Sequence, residues 1–178
     1  MLAFKPEARK TWEDSKDSII GFISGTKQET FVDESIAFGI QDTATANAFI
    51  QDAIDYDYTH VALDSETTGL YPRDGYILGL SMAYDDKKGA YIDTECFDEE
   101  TERLLQELFN KKTVIFHNAK FDLAFFEYQF NFKFPKFEDT MLLHYLIDEN
   151  PGGHGLKELS LKFTPYGDYE KEMYAWMD

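Results

Sequence analysis

The sequence predicts an α/β fold built on a mixed sheet, in which an antiparallel meander of three strands is extended by parallel strands and flanked by helices. Three observations carry that expectation. Three short β-type runs between residues 59 and 93 are joined only by turns, which is the pattern of a meander. Beyond residue 98 the pattern changes to helix, strand and helix, with apolar residues at helical spacing between short buried-type runs. The 178 residues are 43% hydrophobic, enough for one domain with a substantial core.

Residues 1–28 mix charge and polarity without periodicity and contain Pro6 and Gly25. They read as an N-terminal arm, with one helix around 10–22, ahead of a domain over 29–178. A strand is expected over 29–40. Asp42-Thr43 then resembles the start of a helix over 43–55, whose Ala46, Phe49, Ile50, Ala53 and Ile54 recur at helical spacing. The first meander strand, from residue 59, carries VALDSE. A turn with Pro72, Asp74 and Gly75 leads to the second strand, 76–84, and the turn Asp85-Asp86-Lys87-Lys88-Gly89 leads to the third, 90–93. Asp98 caps a helix, EETERLLQELFN, with Leu104, Leu105, Leu108 and Phe109 as its apolar stripe. A buried-type strand over 113–118 and a helix over 120–130 follow. The approach FPKFED meets a helix over 140–148, with Asp139-Thr140 as a strong capping signal. Past the breaker Pro151-Gly152-Gly153-His154-Gly155 comes a helix over 156–163.

With 34 acidic residues against 17 basic ones the formal charge is −17, so this surface repels nucleic acid rather than attracting it by counterion release. A nucleic-acid function therefore needs metal ions in a small acidic site, or a basic neighbouring domain. No apolar run is long enough to span a bilayer. The N-terminal segment lacks the apolar stretch of a secretory signal, and Cys96 has no partner for an internal disulfide. These features lead to the expectation of a cytoplasmic protein with no membrane partner.

The most informative stretch is YTHVALDSETTGL, residues 58–70. A β-type run leads into Asp64 and Glu66, and alternate residues of a strand share a face, so the two carboxylates stand roughly 6–7 Å apart at the backbone. Like charges this close call for a neutralising agent, and a hard divalent cation is the usual one. Alone, the pair reads equally well as two solvated acids at a strand end. A second constellation, VIFHNAKFD over 114–122, ends a hydrophobic strand at His117, places Asn118 as a cap and sets Asp122 in the first helical turn. If that strand lies parallel to the first, Asp122 joins Asp64 and Glu66 at one crevice. Three converging acids can hold paired Mg²⁺ or Mn²⁺.

Taken in order, LDSETTGL, HNAKFD, FEDTMLLHYLID and GLKELSLKF resemble the 3′–5′ exonuclease domain of family A DNA polymerases, the phage-type members of the polymerase I group above all. That domain belongs to the DEDD exonuclease superfamily and has a ribonuclease H-like fold. The resemblance covers about residues 55–163. It implies a two-metal proofreading nuclease that hydrolyses the 3′-terminal phosphodiester of single-stranded DNA beside a C-terminal polymerase domain or a separate polymerase subunit, in a bacterium or a phage-infected cell. By the resemblance, Asp64 and Glu66 ligate the metals and Asp122 is the third carboxylate, acting in part through water. Asn118 and Phe121 lie along the 3′ end, Thr67 bonds the terminal nucleotide and Leu70 packs on its base. Phe121 and Leu70 also suit an ordinary core. Asp139 is a helix cap in that family, His144 reads as packed or exposed, and His154 carries no argument. The H-x4-D spacing of His117 and Asp122 overlaps the second motif and is set aside.

The superfamily draws a fourth acid from a late Y-x3-D or H-x4-D. The late match is Tyr174 with Asp178, only about ten residues past LKELSLKF. Terminal residues fray, so the expectation is that the chain stops before the third motif and cleaves weakly or not at all. The competing readings are a catalytically silent nuclease-like interaction module and a ribonuclease D-like exoribonuclease.

Overall fold

The computed structural model describes residues 37–164. The expected arm, most of the 29–40 strand, and Tyr174 with Asp178 lie outside the described residues. In chain order the elements are β1 (Ala37–Ile40), α1 (Thr43–Asp55), β2 (His60–Thr67), β3 (Ile77–Asp85), β4 (Lys88–Asp93), a 3-10 turn (Thr94–Cys96), α2 (Glu99–Lys111), β5 (Thr113–Phe116), α3 (Ala119–Phe130), β6 (Phe137–Asp139), α4 (Thr140–Ile147) and α5 (Leu156–Phe163).

The strands form one sheet in the order β1-β4-β3-β2-β5-β6. β2, β3 and β4 pair antiparallel, as the turn-joined runs predict. β1 joins β4 in parallel, and β5 and β6 extend the other edge in parallel. The third strand begins at Lys88 rather than 90, because Asp85 pairs with Lys88 and the turn closes on two residues. FPKFED, expected only as an approach, contributes the edge strand β6, with Phe116 opposite Asp139.

Side-chain period sorts the two faces of the sheet. In β2, Val61, Leu63 and Ser65 are buried while His60, Ala62, Asp64 and Glu66 are exposed. The buried face carries Leu63, Leu80, Met82, Ile92, Val114 and Phe116, and α1 and α2 close over it with Ile50, Ala53, Leu105 and Leu108. Both helices start as their sequences foretell. Asp42 accepts from Thr45 N at 2.9 Å, and Asp98 from Thr101 N at 2.8 Å. Beneath α3 the core is aromatic: Phe109 and Phe134 have ring centroids 4.6 Å apart, and Phe116 lies 5.3 Å from Phe134. Each such ring contributes about 1.5–3 kcal/mol through burial, and emptying one site, as in Phe109→Ala, costs about 3–5 kcal/mol. No helix among the described residues is long and apolar enough to cross a membrane.

Candidate active site

Strand alternation places Asp64 and Glu66 together on the open face of the sheet, opposite Ser81 and Gly79 of β3. Gly79 is required there by packing: a Cβ would collide with the Tyr91 ring, which lies across that position from β4. A groove of about 510 Å³ runs along this face. Asp64, Ser81, Tyr91, His117, Thr140 and Leu156 are among its lining residues. The small side chains of the open face leave this room, and Asp64 stands at its wall.

Asp122 arrives in the first turn of α3, as the strand–helix junction predicts, and is only 2% exposed. Its Oδ1 accepts from Ser65 N at 3.0 Å and from Ser65 Oγ at 2.6 Å. Ser65 thus holds Asp122 against the strand that carries Asp64 and Glu66. Burial pushes the Asp122 carboxyl up to about 6, with the Asp64 charge adding to the rise and the Ser65 bonds opposing it. Asp64 reaches solvent, yet lost hydration raises its pKa too, followed by repulsion from Glu66, while His117 acts the other way. None of the ion pairs among the described residues involves Asp64, Glu66 or Asp122.

The donor set suits a hard divalent cation, because it offers carboxylate oxygens whose mutual repulsion a cation would relieve. As they stand, however, no three His, Cys, Asp or Glu side chains among the described residues come together closely enough to hold one ion. Asp64 and Glu66 project side by side, and Asp122 is turned onto Ser65 behind them.

The remaining expected site residues fall into different settings. Leu70 is 75% exposed in the β2–β3 loop, so it is no core residue. Thr67 donates from Oγ1 to Gly69 O at 2.8 Å, which fixes the start of that loop. Phe121 is half-buried against the core, its ring 5.0 Å from that of Phe125. Asn118 occupies the cap position of α3 but makes no side-chain cap bond, which corrects the reading of its side chain as the cap. Its backbone is left-handed, φ 65° and ψ 50°, and the capping acceptor comes from elsewhere. Asp139 accepts from Asn118 N at 3.0 Å and Ala119 N at 2.8 Å, and also from Met141 N at 2.9 Å. One carboxylate therefore caps α3 and α4 together. Its burial acts to raise its pKa, but the four backbone N–H groups of Ala119, Asn118, Leu142 and Met141 outweigh that and hold it low.

Ser65 and Tyr91, which the sequence did not single out, belong to the site, and so does His117, which the sequence reading named only to set its H-x4-D spacing aside. Ser65 fixes Asp122. Tyr91 lines the groove, its hydroxyl pKa raised by burial, then by the charges of Asp93 and Glu66. His117 lines the groove with Asp64, and its Nδ1 lies 2.9 Å from Thr140 Oγ1. Thr140 Oγ1 donates to Phe116 O, so His117 Nδ1 carries the hydrogen of that contact. Burial lowers the His117 pKa, against the pull of Asp139, the His154 carbonyl and Asp64. Only the period of β3 and β4 hinted at Tyr91, since Ser81 and Tyr91 share the face of Asp64 through register.

A profile of the 3′–5′ exonuclease domain of family A DNA polymerases matches residues 38–176. The chain belongs to that 3′–5′ exonuclease family. A DNA polymerase of Escherichia phage T5 is 37% identical over 185 residues, covering 99% of this chain and 21% of the relative. A DNA polymerase I of Rhizobium leguminosarum is 27% identical over 169 residues, covering 76% of this chain and 16% of the relative. The chain thus spans about a fifth of the curated relatives it matches. Among solved structures, Escherichia coli RNase D, an exoribonuclease involved in structured RNA processing, superposes with TM-score 0.63 at 16% identity, over 76% of this chain and 35% of that one. Brucella melitensis NrnC with bound Mg²⁺ superposes with TM-score 0.55 at 23% identity, over 71% of this chain and 59% of that one. These likenesses establish the ribonuclease H-like fold.

Proposed function

We propose that this exonuclease-family chain hydrolyses the 3′-terminal phosphodiester of single-stranded DNA, as the proofreading part of a DNA polymerase, with Mg²⁺ or Mn²⁺ held by Asp64, Glu66 and Asp122. The observation that carries the reading is the placement of two side-by-side carboxylates on β2 with a third fastened behind them through Ser65. Bound divalent ions supply charge neutralisation at a phosphodiester and a more acidic water. Asp64 and Glu66 provide the direct oxygen ligands. Asp122, set back on Ser65, acts in part through water and holds the charge balance of the pair.

The rest of the site binds and orients. Leu70, presented to solvent by the Thr67–Gly69 turn, packs on the terminal base, because stacking and apolar contact tolerate any sequence. Thr67 contacts the terminal nucleotide, and Asn118 and Phe121 border the strand at the start of α3. A net charge of −17 leaves little attraction for a polyanion, so a basic polymerase polypeptide supplies the affinity.

Labelled single-stranded DNA and RNA oligomers incubated with Mg²⁺ or Mn²⁺ test this, beside an Asp64→Ala/Glu66→Ala protein. Stepwise 3′ shortening of DNA by the wild type alone supports the proposal. Preference for RNA would move the reading to a ribonuclease D-like enzyme. Equal inertness of both proteins, alone and with a polymerase polypeptide present, would leave a silent interaction module.

A further inference from the structure

Of the carboxylates at the site, Asp122 is fastened by Ser65, whereas Glu66 stands exposed at the end of β2 on a long side chain with several rotatable bonds. Fixing such a chain costs rotamer freedom, and a ligand left free to turn holds an ion loosely. The register of the sheet brings a neighbour to it. On the open face two rows cross β2, β3 and β4: Asp64, Ser81 and Tyr91 in one, Glu66, Gly79 and Asp93 in the next. Tyr91 starts in the first row and ends in the second. Its ring and hydroxyl lie over Gly79, where a Cβ would overlap both. Residues directly opposite on antiparallel strands have Cβ atoms about 4.5–5.5 Å apart. The phenol therefore stands in the place of the cross-strand neighbour of Glu66, a gap that a Glu side chain spans. Glycine at position 79 is what admits it.

We propose that Tyr91 is a positioning residue, whose hydroxyl donates to the Glu66 carboxylate and holds it in the rotamer that meets a divalent ion beside Asp64. This rests on the metal-binding part of the function proposed above. A phenol suits the task. An ionised carboxylate offers about four lone-pair sites, so it accepts from the hydroxyl and still ligates a metal. The O–H is neutral, so it orients Glu66 without cancelling the charge that draws a cation, which a Lys or Arg side chain would do. Burial, then the charges of Asp93 and Glu66, raise the Tyr91 pKa, and the group stays a donor at neutral pH.

The test titrates the purified chain with Mn²⁺ and counts bound ion from the loss of the free-ion electron paramagnetic resonance signal. Tyr91→Phe keeps the ring over Gly79 and removes only the donor. It should match wild type in circular dichroism and in Tm without metal, yet bind Mn²⁺ about 10–100-fold more weakly. Tyr91→Ala should bind as weakly and also melt lower, so that Phe restores stability without restoring affinity. In a Glu66→Ala chain the remaining affinity should not change on Tyr91→Phe, because the phenol acts through that carboxylate. The proposal is overturned if Tyr91→Phe binds Mn²⁺ like wild type, or if it loses the same factor in the Glu66→Ala chain. Wild type that holds no more Mn²⁺ than Asp64→Ala/Glu66→Ala overturns the metal site and the role of Tyr91 together. Wild-type binding with an unaffected Phe variant removes the role of Tyr91 alone.

Discussion

Asp122 shows how one side chain can be both structural and poised. It is almost fully buried, yet its bonds come from the backbone and hydroxyl of Ser65 rather than from a cation, so its pKa rises to about 6. A carboxylate that titrates higher in the folded than in the unfolded chain binds extra protons in the native state. It therefore costs nothing below about pH 4 and destabilises increasingly as pH climbs through 6. Without divalent ions, Asp122→Asn should gain on wild type across that window, by roughly 3 kcal/mol between pH 4 and pH 7.5. Urea unfolding of both proteins in EDTA measures the difference. A gap independent of pH would mean that Asp122 is not the buried, raised group described. Ser65→Ala should widen the gap, since it removes the 2.6 Å hydroxyl bond that favours the charged form.

At the scale of elements, Asp139 ties the second motif to the α4–α5 hairpin. Its carboxylate closes the starts of α3 and α4 at once, with bonds to Asn118, Ala119, Met141 and Leu142. Caps contribute about 0.5–2 kcal/mol each, so losing both in Asp139→Ala should cost about 1–4 kcal/mol and lower exonuclease activity by loosening Asp122. Asn118→Gly should be nearly neutral, because the left-handed backbone suits glycine and no side-chain cap is lost. Thermal melts of the two variants decide it, and a larger loss in Asn118→Gly would reverse the assignment. This capping shows where sequence reading reaches and where it stops. The alternation of β2, the stripe of α2, and the Asp42 and Asp98 caps were legible because each is a local signal with its own period or fixed spacing. The β6 strand was not, as three residues carry no period. The cap of α3 was assigned to Asn118 because Asn is a good capping residue, whereas its true acceptor sits 21 residues downstream and is brought in by β5–β6 pairing. The His144–His154 pair was equally hidden, since two histidines ten residues apart meet only once the loop after α4 folds back onto that helix.

At the scale of the molecule, net charge and the carboxylate site pull the same way, and they can be separated. A chain at −17 is destabilised by its own repulsion, so any added salt should raise Tm by screening. A divalent ion bound at Asp64 and Glu66 adds a second contribution that screening cannot mimic. It stabilises the native state by RT ln(1 + [M]/Kd), about 1.4 kcal/mol for each tenfold excess over Kd. Tm should therefore climb with the logarithm of Mg²⁺ concentration, well past the rise in NaCl of equal ionic strength. Asp64→Ala/Glu66→Ala should start higher without metal, since the strand loses two repelling charges, and should then follow the NaCl curve in Mg²⁺. The two proteins would cross in Tm as Mg²⁺ increases, a behaviour that surface charge alone does not produce. Parallel curves for both proteins would show that the β2 carboxylates hold no ion in this chain, whatever the outcome of a nuclease assay.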